Sequence, residues 1–174
     1  MPVNIIEIKA KCVDAAQIRT LLQANKAAFK GIDHQIDTYF KAPIGRLKLR
    51  EGNIENTLIH YNRPNQAGPK NSQVTYRRLP PNSDLKDVLA AAMGILTVVD
   101  KKRGIYFIDN VKFHLDEVKN LGTFVEIEAI DETGEIGIEK LKEQCAYYMA
   151  LFAIQSSDLI DVSYSDLMME TENG

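Results

Sequence analysis

The chain has no tryptophan, two cysteines and three histidines among its 174 residues. Cys12 and Cys145 lie far apart in apolar surroundings, which excludes a disulfide framework and leaves both expected as small buried hydrophobes. His34, His60 and His114 show no H-x-x-x-H type of spacing, so zinc, thiol and Ser-His-Asp chemistry are set aside. Long apolar runs are missing as well. Stretches such as Val88 to Met93 and Ala150 to Ile154 fall far short of the roughly 20 residues that span a bilayer, and the first residues lack a basic-then-apolar leader pattern. The expectation is a cytoplasmic protein with no membrane partner. Nor is there a large excess of one charge: the formal net charge is −3, which argues against a non-specific nucleic-acid binder.

What is present is 45% hydrophobic residues in a length suited to one domain, and a strong charge asymmetry along the chain. Residues 1–103 carry 17 Lys and Arg against 9 Asp and Glu, whereas residues 104–174 carry 4 against 15. Such a division points to a tail, a binding patch, or two charge sets meeting in one site. Only residues 170–174 read as a disordered tail, leaving 1–169 as a single domain.

Period-2 alternation dominates the sequence and predicts strands over 3–12, 32–41, 46–51, 57–63, 73–78, 97–103, 104–108, 111–118 and 123–130. Helices are expected over 15–29, with Asp14 as its cap, over 84–93 between Ser83 and Gly94, and over 135–154. The last carries Ile138, Leu141, Cys145, Tyr148, Met149 and Phe152 at helical spacing, a stripe that must pack on something apolar. Several strands place charges on one face only: Glu7, Lys9 and Lys11 oppose Ile6, Ile8 and Ala10; Lys112, His114 and Asp116 oppose Val111, Phe113 and Leu115; Glu126 and Glu128 oppose Val125, Ile127 and Ala129. If every charged face pointed to solvent, the apolar faces would fill the interior and the helices would have little to cover. A barrel with charges inward and helices on its apolar exterior uses both stripes. The expected fold is therefore α+β, with an antiparallel β-barrel flanked by helices. A lumen of unpaired ions is costly when empty. A triphosphate with Mg²⁺ or Mn²⁺ would relieve it, because Lys and Arg suit phosphate oxygens and paired carboxylates suit a hard cation.

The ordered segments Glu7-Ile8-Lys9-Ala10-Lys11, Gln35-Ile36-Asp37-Thr38-Tyr39-Phe40, Arg46-Leu47-Lys48-Leu49-Arg50, Tyr61-Asn62-Arg63-Pro64, Lys101-Lys102-Arg103, the run from Leu115 to Glu128 and the late Ser163-Tyr164-Ser165-Asp166-Leu167 span nearly the whole chain. Together they resemble the CYTH family of triphosphate tunnel metalloenzymes, most closely its class IV adenylyl cyclase-like branch. The resemblance implies an eight-stranded tunnel acting on ATP or a similar triphosphate-bearing small molecule, in a monomer or homodimer. It implies Glu7, Asp116, Glu126 and Glu128 as metal ligands, and Lys9, Lys11, Arg46, Lys48, Arg50, Arg63, Lys101 and Arg103 as phosphate-binding residues. Lys11, Arg63 and Glu126 are the catalytic candidates, whereas Arg77, Arg78 and Lys102 are expected as surface charges. One position departs from the family's Glu-x-Glu-x-Lys opening: Lys9 stands where a second carboxylate is expected. Either fewer N-terminal ligands hold the metal or Lys9 acts as an extra phosphate clamp. Cyclisation of ATP is the first expectation, with triphosphate hydrolysis or a non-catalytic nucleotide- or polyphosphate-binding role as alternatives.

Overall fold

The computed structural model describes residues 3–12, 14–62 and 65–173. Eight strands, β1 (Val3–Lys11), β2 (Ala28–Phe40), β3 (Arg46–Glu51), β4 (Asn56–Asn62), β5 (Lys70–Arg78), β6 (Ile95–Ile108), β7 (Val111–Val118) and β8 (Gly122–Asp131), close into a barrel in the order β1-β5-β4-β3-β2-β6-β7-β8. Every neighbouring pair is antiparallel, and β1 joins the β2–β5 meander to the β6–β8 meander. Four helices flank it: α1 (Ala15–Ala24), α2 (Leu85–Met93), α3 (Ile138–Leu151) and α4 (Tyr164–Asn173). None of the described helices is long and apolar enough to cross a membrane.

The barrel sorts side chains as the alternation requires. Ile6, Ile8 and Ala10 of β1, Val111, Phe113 and Leu115 of β7, and Val125, Ile127 and Ala129 of β8 point outward. There they form one buried layer with Ile18 and Leu22 of α1, Leu141 and Cys145 of α3, and Phe152. Burial of this kind yields about 25 cal/mol per Å² of apolar surface, so the helices are held on by the outer faces of the strands. Cys145 is fully buried and its thiol donates to the Ile6 carbonyl at 3.1 Å. Burial pushes that thiol up to about 12, which makes it an inert packing group. Cys12 is half-buried against the same layer.

Several boundaries differ from the sequence expectation. Helix α1 stops at Ala24 rather than Phe29, because Lys26 takes a left-handed conformation (φ 59°) and the chain enters β2 at Ala28, where Phe29 stacks on Tyr106 at 4.8 Å. Helix α3 begins at Ile138 rather than Glu135. The Asp131 carboxylate accepts the backbone N–H groups of Gly134, Ile136 and Gly137 and holds that stretch as a turn. The segments 97–103 and 104–108 form one strand, running through Gly104. Residues 170–173, expected as tail, complete α4. The helix lies under a second apolar cluster, in which Tyr164 and Met168 pack with Tyr39, Tyr61, Val99, Val118 and Phe124.

Candidate functional site: a charge-sorted tunnel

The inner faces enclose a cavity of about 250 Å³. Register fixes how its charges meet. Lys9 of β1, Glu126 of β8 and His114 of β7 form one cross-strand row; Glu7, Glu128 and Lys112 form the next. Directly opposed residues in antiparallel strands bring their Cβ atoms to about 5 Å, so residues more than a hundred positions apart become immediate neighbours. All six line the cavity.

In the first row His114 is fully buried, and neither ring nitrogen has a hydrogen-bond partner. Nδ1 stands 3.6 Å from Glu126 Oε2 and 3.8 Å from Glu128 Oε1, beyond hydrogen-bond reach. One ligand atom from each of the three residues lies within 4.8 Å of the others. Burial, with Arg103 nearby, pulls the imidazole below its ordinary pKa and favours its neutral, metal-ligating form. An orphaned buried imidazole facing two carboxylates fits a divalent cation. Glu7, which lines the same cavity opposite Glu128, is the adjoining carboxylate. The spacing of His114 along the chain shows no ligand pattern; the fold brings it beside Glu126 and Glu128 through strand pairing, a relation no linear spacing expresses.

Two other carboxylates are already committed to cations. Asp116 is clasped by Arg103, Nε to Oδ1 and Nη2 to Oδ2 both at 2.7 Å, and its Oδ2 also accepts the Tyr164 hydroxyl at 2.8 Å. Both its oxygens thus serve to position Arg103, whose Nη2 reaches Glu126 Oε1 at 3.3 Å. Asp37 receives the Arg50 fork with both bonds at 2.9 Å and Lys101 Nζ at 2.6 Å, with Lys48 Nζ at 3.6 Å. Burial alone would raise the Asp37 carboxyl, but Arg50, Lys101 and Lys48 hold it well below the usual range. Lys101 is pulled down to about 7 by burial and by the neighbouring cations Arg50, Arg103 and Lys48, against the pull of Asp37.

Of the expected phosphate-binding residues, Lys9, Lys48, Arg50 and Arg103 line the cavity. Lys9 is buried with its ammonium 3.9 Å from the Tyr164 ring centroid. Lys101 lies behind Asp37, Arg46 is turned to Asp166 of α4 at 2.7 Å, and Lys11 is exposed at the end of β1; none of the three is in the lining. Arg63 lies outside the described residues. Arg78, expected as a surface charge, is exposed yet reaches the cavity lining. Sequence reasoning passed over Glu55, whose loop between β3 and β4 brings it to Lys112 at 2.6 Å and to Arg50 at 3.6 Å. It also passed over Asp37 as the hub of the cations, and gave Tyr164 no role. The remaining lining mixes the apolar side chains of Ile5, Ile59, Val74 and Ile130 with Thr57, Ser72, Tyr76 and Glu132.

The model of the CYTH domain matches residues 4–156. No curated protein matches the chain. Among solved structures, the PH1012 protein from Pyrococcus horikoshii is 23% identical with a TM-score of 0.77, covering 94% of this chain and 98% of that one. A proposed adenylate cyclase from Vibrio parahaemolyticus is 16% identical with a TM-score of 0.79, covering 95% and 97%. A Hippeastrum protein, described as a proposed adenylyl cyclase with a dominant triphosphatase activity, is 14% identical with a TM-score of 0.61, covering 98% and 96%. At these identities the likeness is one of fold.

Proposed function

The chain belongs to the CYTH family, and from that premise we propose that it is a metal-dependent enzyme acting on a triphosphate inside the barrel. Conversion of ATP to cyclic AMP and pyrophosphate is its first candidate reaction. The observation that supports this reading is the sorting of charge within one cavity, cations of Lys9, Lys48, Arg50 and Arg103 beside the His114, Glu126 and Glu128 cluster. A cation held by His114, Glu126 and Glu128, with Glu7 beside them, would supply Lewis-acid neutralisation of phosphate oxygens.

The protein's own contribution is preorganisation. Arg103 and Arg50 are locked in bidentate pairs with Asp116 and Asp37, so little further side-chain entropy is lost when a polyanion enters the cavity they line. Lys48 is held by longer contacts and has freedom to follow a phosphate. Lys9, whose charge is disfavoured by burial and favoured by Glu126, gains a second anionic partner when phosphate is present. The apolar side chains in the lining, Ile5, Ile59, Val74 and Ile130, offer contacts to an organic group. Lys11 and Arg46 hold no phosphate in this reading.

Hydrolysis is the second reading, supported by the description of the Hippeastrum neighbour. It uses the same residues and differs in which phosphorus meets the acidic row. Incubating the Mn²⁺- or Mg²⁺-loaded protein with ATP, thiamine triphosphate and inorganic triphosphate, and separating cyclic nucleotide and pyrophosphate from orthophosphate, tests both. Cyclic AMP with pyrophosphate is the expected outcome; orthophosphate alone replaces it with the hydrolase, and no turnover of any substrate overturns both.

A further inference from the structure

We propose that the tunnel's cation site is a mixed nitrogen–oxygen site, with His114 Nδ1 as a direct ligand, and that it therefore takes a transition-metal dication such as Mn²⁺ or Co²⁺ in preference to Mg²⁺. This rests on the reading of the tunnel as the reaction site and adds which metal serves it.

Three observations converge. Nδ1 of His114 is buried and unpartnered, and it faces Glu126 Oε2 at 3.6 Å and Glu128 Oε1 at 3.8 Å. A buried polar atom without a partner costs free energy that a ligand recovers. The other oxygen of Glu126 is engaged by Arg103 at 3.3 Å, so the oxygen left over is the one beside the imidazole. Lys112, although opposite Glu128 in register, directs its ammonium to Glu55 at 2.6 Å, which leaves Glu128 turned to the same point. Meanwhile Lys9 sits across from Glu126 on β1. A cation already fixed on that side leaves the His114 side for the metal.

One imidazole and two carboxylates form a donor set that discriminates. Mg²⁺ binds oxygen ligands and keeps much of its water, whereas imidazole suits the first-row transition metals, whose affinities rise from Mn²⁺ toward Co²⁺ and beyond. An orphaned nitrogen at the centre of the cluster is wasted on Mg²⁺.

The test uses the full-length protein stripped of metal by a chelator. Calorimetric titration with Mn²⁺, Co²⁺ and Mg²⁺ separately, without nucleotide, is expected to show Mn²⁺ and Co²⁺ binding at least about tenfold more tightly than Mg²⁺, in the range that a change at one ligand or its hydrogen-bond partner commands. Pulsed electron paramagnetic resonance of the Mn²⁺-loaded wild-type protein is expected to show coupling to a directly bound imidazole nitrogen. His114→Gln should abolish that coupling and narrow the Mn²⁺ preference. If that variant does not fold, the wild-type spectrum decides by itself. Mg²⁺ affinity equal to that of Mn²⁺, or Mn²⁺ bound without nitrogen coupling, overturns the inference even where triphosphate is turned over. Failure of every dication to bind overturns both the inference and the metal-dependent reading.

Discussion

Two walls of the same barrel carry ionised groups in opposite conditions. Around Asp37 the charges are closed on themselves: the carboxylate takes the Arg50 fork and Lys101, with Lys48 alongside, and every one of these distances is 3.6 Å or less. Around His114 they are open. Two carboxylates stand 3.6 and 3.8 Å from an imidazole with no hydrogen-bond partner. The difference teaches which buried charges belong to the protein's own architecture and which await a ligand. A buried pair that satisfies itself shapes the tunnel, whereas a buried group left unsatisfied is a cost the folded state carries for function. Beside the open wall the Arg103–Asp116 pair is closed in the same way, with Arg103 fixed by Asp116 while it touches Glu126.

Breaking the closed wall should cost the most. Asp37→Asn leaves Arg50 and Lys101 buried beside a neutral group, and a loss of about 3–5 kcal/mol in unfolding free energy is expected from urea titration. Breaking the open wall should cost activity instead. Glu126→Gln is expected to lower metal-dependent turnover by roughly two to three orders of magnitude, with a fall in the urea midpoint smaller than that of Asp37→Asn, because Arg103 keeps both of its bonds to Asp116 when the 3.3 Å contact to Glu126 loses its charge. A fall in stability for Glu126→Gln as large as that for Asp37→Asn, or none for Asp37→Asn, would erase the distinction between the walls.

Acid sharpens the comparison at a smaller scale. The Asp37 carboxyl titrates well below its ordinary value in the folded protein, so at pH values near and below about 4 the unfolded chain binds more protons than the native one. The stabilisation from this hub is then complete above about pH 5 and is lost as pH falls further. Urea unfolding followed from pH 7 to pH 3 should decline steeply in the wild type and less steeply in Asp37→Asn. The smallest effect is expected at the Arg103–Asp116 pair: Tyr164→Phe removes the hydroxyl that donates to Asp116 at 2.8 Å, at a cost of about 1.5–3 kcal/mol for a hydrogen bond to a charged group. Arg103 remains clasped by Asp116 in that variant, so turnover should fall by less than in Glu126→Gln.

Much of this was legible in one dimension. The alternation of Glu7 and Lys9 with Ile6, Ile8 and Ala10 states which side chains share a face, and the surplus of amphipathic helix states that the apolar face must be the outer one. Lys9, Lys48, Arg50, Arg103, Glu7, Glu126 and Glu128 accordingly line the cavity. Alternation and spacing do not show where a local break or a distant partner intervenes. Helical spacing over 15–29 does not register the left-handed Lys26 that ends α1. Arg46 and Lys101 carry the right charge on strands that feed the tunnel, yet Asp166 of α4 and Asp37 of β2 intercept them. His114 shows no ligand pattern along the chain because Glu126 meets it across a strand pair, a neighbour that linear spacing does not express.

The sequence by itself determined the kind of fold, an inward-charged barrel clad in helices, because period and parity are properties of neighbouring residues and survive without knowledge of the rest. Only the tertiary structure decided which charges pair and which stay open. Closure of β1 onto β5 and β8 sets the register of all eight strands, and a shift of one residue in register would exchange every partner. The pairing of Asp37 with Arg50 and Lys101, and the isolation of His114 between Glu126 and Glu128, are consequences of that closure.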